Sequence, residues 1–355
     1  MKIAVIGAGN GGQAVSAYLS LMGHEVSLYH YKKNKVDILN KKGTIELVGE
    51  VTGESKLALI SDDLAKVMKG AKIIMVITTA NSHAILARQM ASMLQEGQIV
   101  LLNPGRTGGA LEFQQVLRVN GHTSKVYIAE AQTLVYACRI IEDGLVNIIG
   151  VKDKVLISAV NSKDTAYVLK YVKQLYPCFE AAENVLRTSL ENIGAILHPC
   201  VLLFNAATIE RQTDFWFYRD MTPAIAEFIA AFDKERLAVG KAYGINLLSV
   251  SEWISYAYPK TQGESLCEKM VNNPAYYAIK SPSTIFTRQL TEDIPTGVMP
   301  IMELGKVAGV DVRLMESMVN ICSSLLNIDF HKNGRTLKNL GLDNMSKEDI
   351  LNYLS

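Results

Sequence analysis

Three stretches of this chain carry side chains, or lack them, in patterns that could do chemistry. The first is Gly7-Ala8-Gly9-Asn10-Gly11-Gly12. It follows the short apolar run Ile3–Ile6 and opens an amphipathic pattern over Gly11–Met22. Gly7 permits a tight turn, Gly9 lets backbone approach a pyrophosphate, and Gly12 lets the helix pack close to the strand. Free N–H groups and the positive helix end would then face phosphate oxygens. A glycine turn alone is weak evidence. The strand before it, the helix after it and a second strand at the expected distance raise it to a dinucleotide site in which Gly7, Gly9, Asn10, Gly11 and Gly12 bind cofactor.

The end of that second strand bears on which dinucleotide is bound. An NAD site usually has Asp or Glu there for the ribose hydroxyls. This sequence reads Leu28-Tyr29-His30-Tyr31-Lys32-Lys33. With no acid and two lysines just beyond, His30 and Lys32 are read as cofactor contacts, and the expectation leans towards NADP(H), with NAD(H) as the alternative. The competing reading makes Lys32 and Lys33 a solvated loop, and the two stay open.

The other two stretches lie far downstream. His198 sits mid-helix in Asn192-Ile193-Gly194-Ala195-Ile196-Leu197-His198-Pro199. A histidine on an apolar helix is most often a core residue, but Pro199 removes a backbone donor and should distort the helix beside the imidazole. Arg288-Gln289-Leu290-Thr291-Glu292-Asp293-Ile294-Pro295 puts a guanidinium and two carboxylates just before a helix expected to begin near Gly297. Acids at a helix entrance are favourable without any function, so spacing leaves both segments open. No metal site is expected: His24, His30, His83, His122, His198 and His331 have no partner at ligand spacing.

The elements that must position these residues fall into two groups. Strands are expected at Ile3–Ile6, Glu25–His30, Ile73–Thr78, Ile99–Leu102, Lys125–Ala129, Val146–Ile149 and Val155–Ser158. Helical patterns at Gly11–Met22, Ser82–Leu94 and Lys163–Leu175 alternate with them, as a parallel α/β sheet requires. Thr44–Ile60 reads as a hairpin inserted in that sheet. Beyond about Asn184 the strand signal nearly vanishes, and Ser189–Arg211, Pro223–Tyr243, Val298–Gly309 and Leu314–Leu326 carry long apolar helical patterns. A short helix at Lys347–Leu354 has Ser346 as its cap. The expected architecture is a Rossmann-type parallel sheet domain over 1–184 followed by an all-α domain over 185–355.

The longer motifs resemble the octopine/nopaline (opine) dehydrogenase family over nearly the whole chain. They are GAGNGG at 7–12, NPGRTGGALEF at 103–113, AEAQTLVYACR at 129–139, the His198-Pro199 pair, NPAYYAIKSPSTIFTRQLTEDIPTGVMPIMELGKVAGV at 273–310, and GRTLKNLGL at 334–342. One departure is Val135, at a loop position where the pattern has proline. The resemblance implies reductive condensation of an amino acid with a 2-oxo acid such as pyruvate, through an imine, to a secondary amine dicarboxylate. It also implies His198 as the catalytic histidine, Asp293 as the acid that pairs with it, and Arg288 as a substrate-carboxylate ligand. Cys138 is implied in a loop that lines the cleft between the domains. Arg106 is a further candidate for binding substrate, as is Arg139, though a structural role suits each as well. These types suit the chemistry. An imidazole accepts a proton near neutrality, a carboxylate on its other nitrogen fixes the tautomer, and a guanidinium grips carboxylates bidentately.

Two other readings keep the nucleotide site. One is a ketone-reducing relative similar to 2-dehydropantoate reductase or glycerol-3-phosphate dehydrogenase, which is expected to use a catalytic lysine; Lys241, Lys260 and Lys269 are present. The other is a non-catalytic NADP(H)-binding protein. Composition narrows the partners. With 36 basic and 35 acidic residues the net charge is +1, which gives no case for nucleic acid or an anionic membrane. Small molecules are the expected partners, with self-association into a homodimer left open. The scattered Cys138, Cys178, Cys200, Cys267 and Cys322 make no disulfide framework. Met1-Lys2 leads into an apolar run too short for a secretory leader, and Cys200–Ala207 falls far short of a bilayer span. Both point to the cytoplasm.

Overall fold

Apolar residues without a break make the central strands. Ile73–Val76 and Ile99–Leu102 bury every side chain completely, the pattern of strands covered on both faces. A computed structural model, which describes all 355 residues, places them in an eight-stranded sheet. In chain order the strands are β1 (Lys2–Ile6), β2 (Glu25–Tyr29), β3 (Ile45–Gly49), β4 (Gly53–Ser55), β5 (Leu59–Ser61), β6 (Ile73–Val76), β7 (Ile99–Leu102), β8 (Tyr127–Ala131), β9 (Tyr136–Glu142), β10 (Leu145–Val151), β11 (Val155–Ala159) and β12 (Phe179–Ala181). The large sheet runs β12-β11-β8-β7-β6-β1-β2-β5. It is parallel from β5 to β8, and β11 joins β8 antiparallel. The helices of this part are α1 (Asn10–Leu21), α2 (Lys33–Lys42), α3 (Leu64–Met68), α4 (His83–Met90), α5 (Gly109–Val119) and α6 (Thr165–Val172).

Two expectations about this half are corrected. The hairpin within Thr44–Ile60 does form, as β3 and β4, but not in the main sheet. With β9 and β10 it builds a separate four-stranded sheet of order β4-β3-β10-β9. Val146–Ile149 therefore belongs to this second sheet as well. The alternation of β3 and β10 reports one buried face, and that period cannot say which sheet covers it. β9 and the short β12 were not expected from the sequence.

The remaining helices are α7 (Val185–Leu190), α8 (Ile193–Phe204), α9 (Ala206–Glu210), α10 (Pro223–Ala242), α11 (Val250–Ala257), α12 (Leu266–Val271), α13 (Arg288–Thr291), α14 (Met299–Val307), α15 (Arg313–Leu326), α16 (Phe330–Asn333), α17 (Leu337–Leu340) and α18 (Lys347–Leu354). Ser346 caps α18, accepting from Asp349 N–H at 3.2 Å. The pattern over Ser189–Arg211 is broken into α7, α8 and α9. Within α10 a buried pair, Arg236 Nε to Asp233 Oδ1 at 2.7 Å, stabilises loop backbone. Arg236 donates to Leu190 and Leu248 carbonyls, and Asp233 accepts from Val250 N–H. By compactness the chain divides into 1–189 with 353–355, and 190–352. No helix is long and apolar enough to cross a membrane.

Candidate active site

The glycine loop joins β1 to α1 at the carboxyl edge of the sheet, beside β6, where strand order reverses. In open α/β sheets that crevice takes the ligand. Gly7 adopts φ +113°, and a methyl group there would strike the Ile77 carbonyl oxygen; one at Gly12 would overlap the Gly7 carbonyl oxygen. Packing thus requires both glycines. A methyl at Gly9 would meet nothing within 4 Å, so the protein itself has no need of that bare backbone. It fits a cradle for something outside the chain. The first turn of α1 holds no acid, which leaves its positive end available to phosphate oxygens. The loop fits a dinucleotide.

Second-sheet residues brace this loop. Asn10 Oδ1 accepts from Ile140 N–H at 2.8 Å. Gln13 donates to the Ala8 carbonyl and Asp143, and accepts from Gly144 N–H at 2.9 Å. Asp143 in turn pairs with Lys35. Gln13 was not singled out in the sequence, since a polar residue in a helix carries no signal until its partners, 130 positions away, are known.

Past β2, His30 Nδ1 accepts from Lys32 N–H at 3.1 Å. Burial lowers the His30 pKa below its usual 6.5, and Lys35 and Lys32 push it the same way. Lys32 and Lys33 are exposed. Lys32 is not in a free loop: it is the N-cap residue of α2, and Lys33 is that helix's first residue.

His198 and Asp293, 95 positions apart, meet in the helical part: Nδ1 lies 2.6 Å from Asp293 Oδ2. The acid side chain is 4% exposed and the imidazole 18%. The carboxylate is therefore held away from water while the ring keeps an open edge. A carboxylate on Nδ1 places the ring proton there and leaves the lone pair on Nε2. Phe217 and Tyr218 flank the ring, with centroids at 6.2 and 6.4 Å.

What brings the acid to α8 is a close approach of backbone. Asp293 precedes a π-helical turn, Ile294–Val298, that runs directly into α14. The helix expected to begin near Gly297 thus starts earlier, and Gly297 lies inside the turn. A methyl on Gly297 would stand 2.5 Å from Ala195 Cβ and 3.1 Å from Asn192 Nδ2. Ala195 is one turn before His198 and Gly297 one turn after Asp293, so the small-on-small contact sits beside the pair. Arg335 N–H donates to the Pro295 carbonyl at 2.8 Å, so the 334–342 motif supports the same turn. Gly297, Ala195, Phe217 and Tyr218 were not identified from the sequence.

The other candidates are placed as follows. Arg288 opens α13 with its side chain 57% exposed, 3.5 Å from the buried Glu292 carboxylate. Arg106 is half-buried at φ +60° in the loop after β7. Cys138 is not in a loop, as expected, but in β9, 4% exposed, and burial pushes its thiol up to about 11. A strand residue in a core must stay a neutral thiol at physiological pH. Arg139 beside it is exposed, donating to the Cys138 carbonyl. Val135 is fully buried. Lys241 and Lys260 are exposed, and Lys269 bonds Ser251 Oγ at 3.0 Å.

Residues 181–326 match the family model described as NAD/NADP octopine/nopaline dehydrogenase, alpha-helical domain, and 2–129 match the NAD-dependent glycerol-3-phosphate dehydrogenase N-terminus. An opine dehydrogenase of Arthrobacter sp. (strain 1C) is 36% identical over 98% of this chain and 97% of its own. The chain belongs to the opine dehydrogenase family. Opine dehydrogenases are nicotinamide-dependent oxidoreductases, and this chain is one. The fold matches octopine dehydrogenase bound to NADH and L-arginine, with TM-score 0.84 at 20% identity over 99% and 98% of the two chains. It also matches yersinopine dehydrogenase with NADP+ bound, with TM-score 0.75 at 13% identity over 99% and 97%.

Proposed function

We propose that this opine dehydrogenase condenses an amino acid with a 2-oxo acid of the pyruvate type and reduces the resulting imine to a secondary amine dicarboxylate, and runs the reverse oxidation. The observation that carries this reading is the 2.6 Å contact between His198 Nδ1 and a buried Asp293 carboxylate. In the oxidative direction His198 Nε2 takes the proton from the secondary amine, and the nitrogen lone pair then forms the C=N bond as hydride leaves carbon. Asp293 stabilises the imidazolium that results, and holds the ring in orientation. In reduction the imidazolium returns that proton to nitrogen. The bound nicotinamide supplies or accepts the hydride.

Arg288 binds a substrate carboxylate. Its guanidinium is exposed, and its single bond inside the protein is to Glu292 at 3.5 Å, which leaves N–H donors for a bidentate grip. Arg106, half-buried, and Cys138, a buried neutral thiol, are further candidate contacts for substrate.

The cofactor is NADP(H) in preference to NAD(H), held by Gly7, Gly9, Asn10, Gly11 and Gly12, with His30 and Lys32 at the ribose end. Two lysines and no acid at the end of β2 support this. The test is a matrix of amino acids against 2-oxo acids, followed by NAD(P)H absorbance with each cofactor. Turnover should require both an amine and an oxo acid. Oxidation of the dinucleotide by an oxo acid alone would point to a ketone reductase, and NADH strongly preferred would reverse the cofactor assignment.

A further inference from the structure

The turn that joins β9 to β10 places Asp143 against both α1 and α2. Gln13, in the first turn of α1, donates through one amide nitrogen to the Ala8 carbonyl at 3.0 Å and to Asp143 Oδ1 at 3.2 Å. The carboxylate therefore stands next to the glycine loop. The same Oδ1 accepts from Nζ of Lys35, in the first turn of α2. Gly7 N–H donates to the Tyr29 carbonyl at 3.0 Å and ties the loop to the end of β2. In this fold the adenosine ribose lies just past the second strand, where an acid or a cation reads its 2′ position. Lys35 and Asp143 stand at that corner.

The turn is held in place without this ion pair. Gly144 N–H donates to Gln13 Oε1 at 2.9 Å, Glu46 N–H donates to the Gly144 carbonyl at 2.9 Å, and Lys42 Nζ reaches Glu142 at 2.9 Å from the last turn of α2. Lys35 and Asp143 are also better placed to select a ligand than the two lysines before them. Their side chains are 22% and 21% exposed, whereas Lys32 and Lys33 lie open to solvent. A partly desolvated charge acts more strongly than a solvated one. Both bonds to the carboxylate fall on Oδ1, which leaves Oδ2 to accept. The ammonium has three donors and uses one of them on Asp143.

We propose that Asp143 and Lys35 together select the 2′ substituent of the bound dinucleotide, an inference that rests on the nucleotide site proposed above. Asp143 Oδ2 accepts from the free 2′-hydroxyl of NAD(H), so a distant turn supplies the acid that the end of β2 lacks. Lys35 meets the 2′-phosphate of NADP(H), which Asp143 repels. The two residues pull the preference in opposite directions. With Lys32 and Lys33 on its side, the cation outweighs the acid.

The test measures dissociation constants of NADPH and NADH by fluorescence titration for the wild type, Lys35→Met, Lys35→Arg and Asp143→Asn, with Tm alongside. Asparagine keeps an oxygen for Gln13 and loses only the charge. Lys35→Met should weaken NADPH by about 10-fold and NADH by less than about two-fold, and Lys35→Arg should restore most of the NADPH affinity. Asp143→Asn should move the other way, tightening NADPH and weakening NADH by roughly three-fold each, so that their ratio rises about 10-fold. Competition by adenosine 2′,5′-bisphosphate against AMP should show the same shifts without the nicotinamide end. The wild-type ratio tests the cofactor assignment, and the change in that ratio from wild type to variant tests the pair. A wild type that prefers NADH would reverse the first, while ratios that shift as stated would uphold the second. Equal weakening of both dinucleotides in Asp143→Asn, with a lower Tm, would make the pair a brace for the turn and overturn the proposal. So would a ratio that Lys35→Met leaves unmoved.

Discussion

The glycine loop and the His198–Asp293 pair are both small, and they are built in opposite ways. The loop is six consecutive residues, and its tightest constraint is local: the Gly7 carbonyl excludes a side chain at Gly12 five positions on. The pair spans 95 positions, and its geometry belongs to neither segment. It exists because Gly297 and Ala195 are small enough for a π-helical turn to settle against α8. A site that folds locally announces itself in sequence, whereas a site assembled by packing is only as exact as the contact that assembles it.

Substitutions should separate the two sites by what each costs. The largest effect is expected for His198→Ala, with kcat falling by ~10²–10⁴ and the NADPH dissociation constant, read by fluorescence titration, nearly unchanged. A kcat within a few-fold of wild type would remove the imidazole from the chemistry. Gly12→Ala should do the reverse, weakening dinucleotide affinity by ~100-fold, about 2.8 kcal/mol, because the methyl would displace the Gly7 carbonyl. Unaltered NADPH binding in that variant would mean the loop is not the cradle.

Gly297→Ala sharpens the contrast, since it touches neither proton donor nor acceptor. Pushing the turn off α8 should lower kcat by roughly 10-fold, as small misplacements of catalytic groups do, and adding Ala195→Gly should restore part of the loss. Non-additivity in that double-mutant cycle is the readout. The smallest effect is expected for Lys32→Ala with Lys33→Ala, which should shift the NADPH-to-NADH preference by a few-fold, since exposed charge pairs contribute only ~0.2–1 kcal/mol each.

Much of the nucleotide half was legible because parallel strands buried on both faces leave uninterrupted apolar runs, as in β1, β6 and β7. α10, α15 and α18 were legible from the helical period, with Ser346 marking the start of the last. The second sheet was misplaced because the period of two in β3 and β10 reports one covered face and not which partner covers it. Cys138 was placed in a loop by the family resemblance alone; it lies in β9, where Tyr136 and Cys138 are buried, Ala137 and Arg139 are exposed, and the strand pairs with β10.

The amino-acid sequence by itself determined the turn at Gly7–Gly12 and the change from strand to helix near residue 184. Each of these follows from residues close in the chain, where backbone sterics and hydrogen bonding act directly. Only the tertiary structure decided that Asp293 meets Nδ1 rather than solvent, that Gln13 ties the glycine loop to a distant turn, and that Gly297 settles against Ala195. Those depend on which surfaces bury one another, and burial is a property of the folded chain that no local run of residues carries.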